Sequence, residues 1–240
     1  MTARTPLLRG HPRPAWLVAA AVPLAALAVA DNWRVRRRLE EAARDELTGL
    51  PRRQVLVRHG EQLLARRADD VLVVLVDLDG FKEINDDFGH AAGDQVLAAV
   101  AARLWDWSAE HGGMAARLGG DEFAAVAHVP RGNVECDLDL LQIRLMRPVR
   151  HRDTALPVRA SVGAAHTADL PSRPWSALLR AADMAMYRAK TARARSDWSV
   201  GPCVGSAADA DAPTVNGRRP GRPGTHLAPA LRTNTAAAAR

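Results

Sequence analysis

Acidic side chains follow or precede apolar runs at two places in this sequence, where they could take part in chemistry. A Val-rich run, residues 71–76, ends at Asp77, and Asp79 comes two residues later. A second acidic pair closes the stretch 119–122, Gly-Gly-Asp-Glu, which precedes another apolar run. Carboxylates gathered at one end of a sheet repel one another, and a divalent cation removes that repulsion. Oxygen ligands of this kind suit Mg²⁺, which keeps coordination sites for substrate phosphates.

Two interpretations fit the segment after Asp77 when it is taken alone. It is either a solvated loop with a turn at Asp79–Gly80, or one wall of a site. The second interpretation has strand 114–118 paired beside strand 71–76, so that the acidic tip of the hairpin approaches Asp77. The two glycines of the tip then reverse the chain and also let a nucleotide lie close to the backbone.

The elements around these acids predict an α+β fold. Apolar strands alternate with segments of helical periodicity. We predict a helix that opens at 50–51, further helices over 95–107, 134–146 and 174–190, and strands over 71–76, 114–118, 123–129 and 156–166. Residues 77–94 are polar and rich in turn formers. This order predicts helices packed on a mainly antiparallel sheet.

Composition narrows the class of partner. The 240-residue chain has a formal net charge of +6, but its basic residues are not interleaved with aromatic residues, so we expect no nucleic-acid partner. Its two cysteines have neither paired nor metal-like spacing, which argues against a disulfide framework and fits a reducing compartment.

We predict that the N-terminal segment, residues 1–33, contains a single membrane anchor over residues 14–33. Residues 15–30 carry no charge, and counting from Pro14 to Trp33 reaches the roughly 20 residues that span a bilayer. The arginine cluster that follows favours a cytoplasmic C-terminal side, and hence a single-pass protein of the inner membrane with its main domain in the cytoplasm. A cleaved signal peptide, with Ala-Val-Ala before Asp31, and a buried or disordered segment are the alternatives.

The segments next to the main domain also carry predictions. Residues 34–46 have the apolar spacing of a short linker helix. Residues 199–240 are rich in Ala, Pro, Gly, Arg and Thr without apolar periodicity, which is typical of a disordered tail.

The stretch 117–123, Arg-Leu-Gly-Gly-Asp-Glu-Phe, resembles the signature of the GGDEF-domain diguanylate cyclases. The other blocks of that family are matched by similar stretches at 45–53, 77–97, 161–165 and 182–190. The resemblance covers about residues 45–198. It implies a five-stranded, mainly antiparallel sheet wrapped by helices, similar to nucleotide cyclase and polymerase palm domains. The implied reaction condenses two GTP into cyclic di-GMP and two pyrophosphates, with Mg²⁺, or Mn²⁺ in its place.

The resemblance assigns the metal and catalytic roles. Asp77, Asp121 and the carbonyl of Leu78 match the metal ligands. Glu122 matches the second acid of the signature, which either binds metal or helps to deprotonate the 3′-hydroxyl. We favour the metal role, because a carboxylate beside Mg²⁺ has a lowered pKa and is a weak base. Lys82 matches a phosphate-loop lysine and completes the catalytic set with Asp121 and Glu122.

The resemblance also assigns the nucleotide contacts. These residues are the guanine readers Asn85 and Asp94, the phosphate-binding Phe81, Lys82 and Lys190, and the close-approach glycines Gly119 and Gly120. A carboxylate that accepts from two guanine donors rejects adenine, which lacks that donor pair. For Asp94, helix N-capping before residue 95 is the structural alternative.

Arg52 replaces an asparagine of the opening family block, which we expect to be a minor change, and two further stretches depart from the family pattern. Product-inhibited members carry Arg-x-x-Asp at the position of residues 110–113, where this chain has Glu110 and Gly113, so inhibition at that place is not expected. The last family block continues Lys-x-x-Gly-Arg, whereas this chain has Arg193 at the glycine position and Ala194 at the arginine position. Arg193 or Arg195 could substitute for the missing arginine, with a different reach.

The resemblance implies a transient homodimer, because each chain holds one GTP and the product needs two. The alternative function is a weak or inactive GGDEF domain that serves as a GTP-binding or scaffold module in the same bacterial signalling pathway.

Overall fold

The computed structural model of the protein describes residues 43–66, 69–170, 174–195 and 201–211. Apart from Ala43, these residues belong to one compact unit, Arg44–Arg240. The predicted anchor at 14–33 and most of the predicted linker helix lie outside the described residues. Within the described ranges, no helix combines the length and the apolar character needed to cross a membrane.

Six α-helices and seven strands form the described part of the chain. The helices are α1 (Arg53–Arg66), α2 (Phe81–Phe88), α3 (His90–Glu110), α4 (Val134–Leu145), α5 (Trp175–Arg195) and α6 (Ala207–Asp211). The strands are β1 (Val71–Leu78), β2 (Met114–Gly119), β3 (Glu122–His128), β4 (Val149–His151), β5 (Thr154–Leu156), β6 (Ala160–His166) and β7 (Cys203–Val204).

The main sheet has five strands in the order β2-β3-β1-β6-β7, and all neighbours are antiparallel except β6 and β7. The predicted α+β class and the mainly antiparallel five-stranded sheet are confirmed. The predicted pairing of strand 114–118 beside strand 71–76 is wrong, because β3 lies between them. β3 takes the inner position and is buried there, while β2 forms the partly exposed edge.

Helices cover both faces of β1, which explains why its sequence is apolar without alternation. Leu72, Val74 and Val76 pack into the core on the side of α3 and α4. The residues between them pack into a second core on the side of α1 and α5. β1 is therefore held at the centre of the fold, and the residues at its end have a fixed position.

A glycine sets how close α5 comes to the sheet. A Cβ atom built on Gly163 of β6 would lie 2.0 Å from the backbone nitrogen of Met186 on α5. No side chain fits in that space, so the helix backbone rests directly on the strand. This contact brings the last turns of α5 to the end of β1.

Residues 77–94, which the sequence predicts to be turn-rich, are mostly helical. α2 begins after Gly80, which has a φ of +71°, and ends at Gly89, with a φ of +84°. Phe81, Ile84 and Phe88 have helical spacing that the surrounding acidic residues mask in the sequence. α3 then begins at His90 and runs past the predicted end at residue 107.

Residues 201–211, which composition assigns to the disordered tail, are also ordered. They form β7 and α6, and Gly205 N donates to Ala164 O at 2.7 Å. Arg180 on α5 donates from Nε to Ala210 O at 2.9 Å. The segment folds because the sheet edge and α5 provide partners that composition alone does not reveal. Residues 212–240 lie outside the described residues.

Arg117 ties the hairpin tip to the entry segment of the domain. Its Nη1 atom donates to Asp45 Oδ1 at 2.8 Å, and its Nη2 atom donates to Gly120 O at 2.8 Å. Thr48 donates to the same Asp45 oxygen from its backbone N at 2.9 Å and from its hydroxyl at 2.7 Å. Partial burial acts to raise the pKa of Asp45, but the hydrogen bonds from Arg117 and Thr48 outweigh it and hold that pKa below its ordinary value.

The lowered pKa of Asp45 gives a prediction about stability and pH. A carboxylate whose pKa is lower in the folded than in the unfolded state stabilises the fold at neutral pH, and this stabilisation is lost as the pH falls through the lowered pKa. We expect Asp45→Asn to reduce the free energy of unfolding by about 1 kcal/mol at neutral pH. The difference from wild type should shrink below a pH of about 4, where the carboxyl of the unfolded chain takes up its proton while that of the folded protein is still ionised.

Denaturant unfolding of both proteins across this pH range is the measurement. Glu46→Gln, at an exposed neighbouring acid, is the control and should show no such convergence. A difference that stays constant down to acid pH contradicts the role of the ionised carboxylate.

Candidate active site

Three acidic residues lie at one end of the main sheet. Asp77 near the end of β1 is the register partner of Glu122 at the start of β3. Leu78 N donates to Asp121 O at 3.2 Å, which closes the hairpin tip onto β1. The antiparallel pairing of β1 and β3 therefore places both predicted acidic segments at the same edge.

The three acids are buried to an unusual degree for carboxylates. Asp77, Asp121 and Glu122 expose 5%, 7% and 8% of their surface. Burial raises the pKa of Asp77 above its ordinary value; Lys190 opposes this shift, and the charges of Asp121 and Asp79 add to it. Such burial is costly unless a cation compensates the charge.

Lys190 on α5 supplies a cation to Asp77 in this structure. Its ammonium donates to Asp77 Oδ1 at 2.5 Å. The Lys190 side chain is 49% exposed, whereas that of Asp77 is 8% exposed, so the lysine reaches the buried acid from the solvent side. A half-exposed lysine can exchange this partner for another anion when a second cation compensates the buried charge of Asp77.

The donor set at this edge fits a hard divalent cation. Buried carboxylates and a backbone carbonyl, that of Leu78, are the oxygen ligands that Mg²⁺ and Mn²⁺ prefer. The ammonium partner of Asp77 and the nearby negative charges of Asp121 and Asp79 indicate a place where positive charge is favourable. Among the described residues, no three His, Cys, Asp or Glu side chains converge as a preformed metal cluster. The acids share one edge of the sheet without that convergence.

The predicted phosphate loop joins β1 to α2. Gly80 adopts the left-handed conformation, with a φ of +71°, and turns the chain into the first turn of α2 at Phe81. The first backbone N–H groups of a helix lack partners within the helix and attract anions. Lys82 points outward, where its ammonium donates to Asp86 Oδ2 at 2.8 Å.

The two predicted guanine readers lie on adjacent helices. Asn85 is on α2 and donates from Nδ2 to Phe81 O at 3.3 Å. A Cβ atom on Gly93 of α3 would lie 2.1 Å from Asn85 Oδ1, so this glycine lets the two helices meet closely there. Asp94 follows Gly93 and is exposed in the second turn of α3. The N-cap of α3 is Gly89, so capping does not explain Asp94.

Gly119 and Gly120 occupy the hairpin tip as predicted. Their φ values of +148° and +55° are unfavourable for residues with side chains. A Cβ atom at either position would meet nothing within 4 Å, so the space above the tip is open. The glycines thus satisfy the turn and leave room beside the backbone.

Arg193, a candidate substitute for the arginine of the family, is already engaged. Its Nη1 atom donates to Ala160 O at 2.6 Å and contacts Asp79 Oδ2 at 3.3 Å. Ser161 donates its hydroxyl to Asp79, with distances of 2.8 and 2.9 Å to the two carboxylate oxygens. Sequence reasoning missed the contact of Ser161 with Asp79, because it depends on the antiparallel pairing of β1 with β6, and α5 then adds Arg193. The side chains of residues 194 and 195 lie outside the described part.

The segment at the family's product-inhibition position has a different chemistry in this chain. Arg144 Nη1 lies 2.9 Å from both carboxylate oxygens of Glu110, which lowers the pKa of Glu110. A Cβ atom on Gly113 would lie 1.9 Å from Val126 O, so the backbone leaves no space for an aspartate there. An anion-binding Arg-x-x-Asp arrangement therefore does not fit this segment.

Comparison with known proteins agrees with this architecture. The family model described as "Diguanylate cyclase, GGDEF domain" matches residues 42–196. An uncharacterized 19.3 kDa protein of Streptomyces ambofaciens is 47% identical over 154 residues, which are 64% of this chain and 81% of that protein. The diguanylate cyclase DgcP of Pseudomonas aeruginosa is 38% identical over 161 residues, which are 64% of this chain but 23% of DgcP.

A solved structure supports the same assignment. The GGDEF domain of TpbB from Pseudomonas aeruginosa is 32% identical, with a TM-score of 0.58, and the match covers 69% of this chain and 96% of that domain. The chain belongs to the GGDEF-domain diguanylate cyclase family. Curated relatives with named functions are longer, since the matched regions span between 20% and 48% of their lengths.

The raised pKa of Asp77 predicts that its ionised carboxylate, the form that would bind a metal, lowers the stability of the fold. The folded state holds the Asp77 proton more tightly than the unfolded chain does, so the ionised carboxylate opposes folding once the pH exceeds the ordinary aspartate pKa. Asp77→Asn keeps the shape and removes the buried charge. We expect it to raise the melting temperature of the metal-free protein by a few degrees at neutral pH.

Thermal unfolding in the presence of a chelator is the measurement. Asp106→Asn, at an exposed acid of α3, is the matched control and should leave the melting temperature unchanged. A lower melting temperature for Asp77→Asn would mean that its ion pair with Lys190 outweighs the desolvation of the carboxylate.

Proposed function

We propose that the protein is a diguanylate cyclase of a cyclic di-GMP signalling pathway. The observation that carries this proposal is the set of three buried carboxylates at the end of β1 and β3, with Lys190 beside them. Burial of the Asp77 carboxylate is unfavourable, so its position at the end of β1 is explained if the site binds a cation. The family membership and the name of DgcP support the same reaction.

Asp77, Asp121, Glu122 and the Leu78 carbonyl would hold Mg²⁺. The ion would lower the pKa of the attacking hydroxyl and neutralise charge on the leaving pyrophosphate. The chain itself contributes positioning. The first turn of α2 offers backbone N–H groups to the phosphates, and Lys190 moves from Asp77 to the phosphates when they arrive.

Base selection rests on the α2–α3 contact. Asn85 and Asp94 lie on facing helices held together at Gly93. An exposed carboxylate and an amide match the donors and acceptors of the guanine edge, whereas adenine would leave Asp94 with its carboxylate oxygens unsatisfied. We therefore propose GTP as the substrate.

The reaction needs two chains. Each 3′-oxygen attacks the α-phosphorus of the other GTP, its proton leaves to solvent, and the bond from that phosphorus to pyrophosphate breaks. A transient homodimer with facing hairpin tips would supply this geometry. An N-terminal membrane anchor would raise the effective concentration of the encounter. The ion pair of Glu110 and Arg144 supports the further proposal that this enzyme lacks product inhibition at residues 110–113.

The second candidate function is a GTP-binding module without turnover. Ala194 at the family's arginine position favours it, and Arg193 is committed to Asp79 and Ala160 rather than offered to a phosphate. Such a module would still bind GTP through Asn85, Asp94 and the phosphate loop. Binding and turnover therefore have to be measured separately.

The test is cyclic di-GMP formation by the purified full chain with GTP and Mg²⁺. We expect product from wild type and a loss of about 100-fold or more for Asp121→Asn, because removal of a metal ligand weakens transition-state charge stabilisation. Asp106→Asn, far from the sheet edge, should keep wild-type turnover.

GTP that binds without forming product at high protein concentration supports the non-catalytic module instead. Full turnover by Asp121→Asn would remove this residue from the metal site.

A further inference from the structure

Arg193 is one of the residues at which this chain departs from its family, and the structure shows a specific set of contacts for its side chain. Its side chain is 10% exposed, and the guanidinium lies between β6, the end of β1 and Met146. The contact to Ala160 O is short, at 2.6 Å, and the contact to Asp79 Oδ2 is 3.3 Å. A buried arginine of this kind is held far more firmly than a surface lysine.

Asp79 is held from several sides. Besides Arg193, its carboxylate accepts the hydroxyl of Ser161, and its backbone N donates to Arg159 O at 2.9 Å. Asp79 is also the residue immediately before Gly80, where the chain turns with a φ of +71° into α2. The loop Asp79–Lys82 consists of the turn at Asp79 and Gly80 and the first two residues of α2. Fixing Asp79 therefore fixes the start of this loop.

The last turns of α5 place two cations on two acids. Lys190 and Arg193 are three residues apart and share one face of the helix. Asp77 and Asp79 are two residues apart at the end of β1. Lys190 pairs with Asp77, and Arg193 pairs with Asp79. The Lys190 side chain is 49% exposed and can leave its partner, whereas that of Arg193 is 10% exposed and stays in place.

This pairing has a consequence for the negative charge near the phosphate loop. Without Arg193, the carboxylate of Asp79 would repel a triphosphate at the start of α2 and would compete for Lys190. Arg193 neutralises Asp79 from the protein side. Lys190 then has to break only its ion pair with Asp77 when an anionic substrate binds.

We propose that Arg193 is a positioning residue that holds Asp79 against β6 and so keeps the loop Asp79–Lys82 preset for a nucleoside triphosphate. The inference rests on the proposed function, because it takes GTP as the ligand of this loop. Arg193 acts through Asp79 and does not touch the substrate. It compensates for the arginine that the family carries at the position of Ala194 by ordering the loop rather than by contacting a phosphate.

The test compares full-length wild type with Arg193→Met and Arg193→Lys. Methionine keeps helix propensity and most of the volume but removes the charge. Arg188→Met is the matched control, since Arg188 is a second arginine of α5 and pairs with Asp209 away from the site. Three quantities are measured: hydrogen exchange of the peptide containing residues 79–82 without nucleotide, GTP affinity with Mg²⁺, and the KM and kcat of cyclic di-GMP formation.

We expect Arg193→Met to speed exchange in the loop and to raise both the Kd and the KM for GTP about tenfold, with kcat at saturating GTP changed much less. Arg193→Lys should recover part of this loss, and Arg188→Met should match wild type in all three quantities. Asp79→Asn is the second variant. Combined with Arg193→Met, it should not add to the loss caused by Arg193→Met, because the same ion pair is already broken and the uncompensated carboxylate is removed.

Each outcome has a defined meaning. If wild type binds no GTP, the proposed function fails and the inference fails with it. If wild type binds GTP, and Arg193→Met shows unchanged loop exchange and unchanged Kd, only the inference is overturned. If Arg193→Met does not fold, Asp79→Asn decides by the same loop exchange and Kd. A loss confined to kcat, with normal Kd and loop exchange, also contradicts a positioning role.

Discussion

The desolvated carboxylate of Asp77 is the constraint on which the rest of this structure depends. β1 is covered on both faces, so any acid near its end is drawn into the core with it. Burial raises the pKa of Asp77, and nearby Asp121 and Asp79 make its ionised form still less favourable. Such a position persists only where a cation can be supplied.

Several features of the fold place cationic side chains beside these acids. Gly163 lets the backbone of α5 rest on β6, and the helix then carries Lys190 to Asp77. Three residues further along the helix, Arg193 reaches Asp79. The hairpin β2–β3 brings the other two acids to the same edge, and Arg117 fixes its tip to Asp45. The packing of α5 on β6 and the ion pairs of Lys190 and Arg193 therefore act at the same end of the main sheet, the end of β1.

Much of this arrangement can be predicted from the sequence, because short-range patterns carry it. The Val-rich run identifies the central strand, the glycine pair identifies a hairpin, and acids directly after or before strands identify a sheet edge. The order of strands is less accessible. Both strands of the hairpin could pair with β1, and only the folded structure shows that β3 does, with β2 left at the partly exposed edge.

Other features depend on contacts that no local pattern encodes. Helix α2 is hidden in an acidic segment whose apolar residues become visible only when Phe81, Ile84 and Phe88 are placed on one helix. The order of residues 201–211 comes from the sheet edge and α5. The network of Arg193, Asp79 and Ser161 joins residues more than 30 and more than 80 positions apart, so it requires the folded chain.

The most direct test of this account is metal binding at the end of β1. Mn²⁺ binding can be followed by electron paramagnetic resonance in the full chain saturated with a non-hydrolysable GTP analogue. The account predicts that wild type binds Mn²⁺ and that Asp77→Asn weakens this binding by about tenfold or more, because it removes a charged ligand. Equal Mn²⁺ affinity in the two proteins would contradict the claim that the buried acid exists to hold a cation.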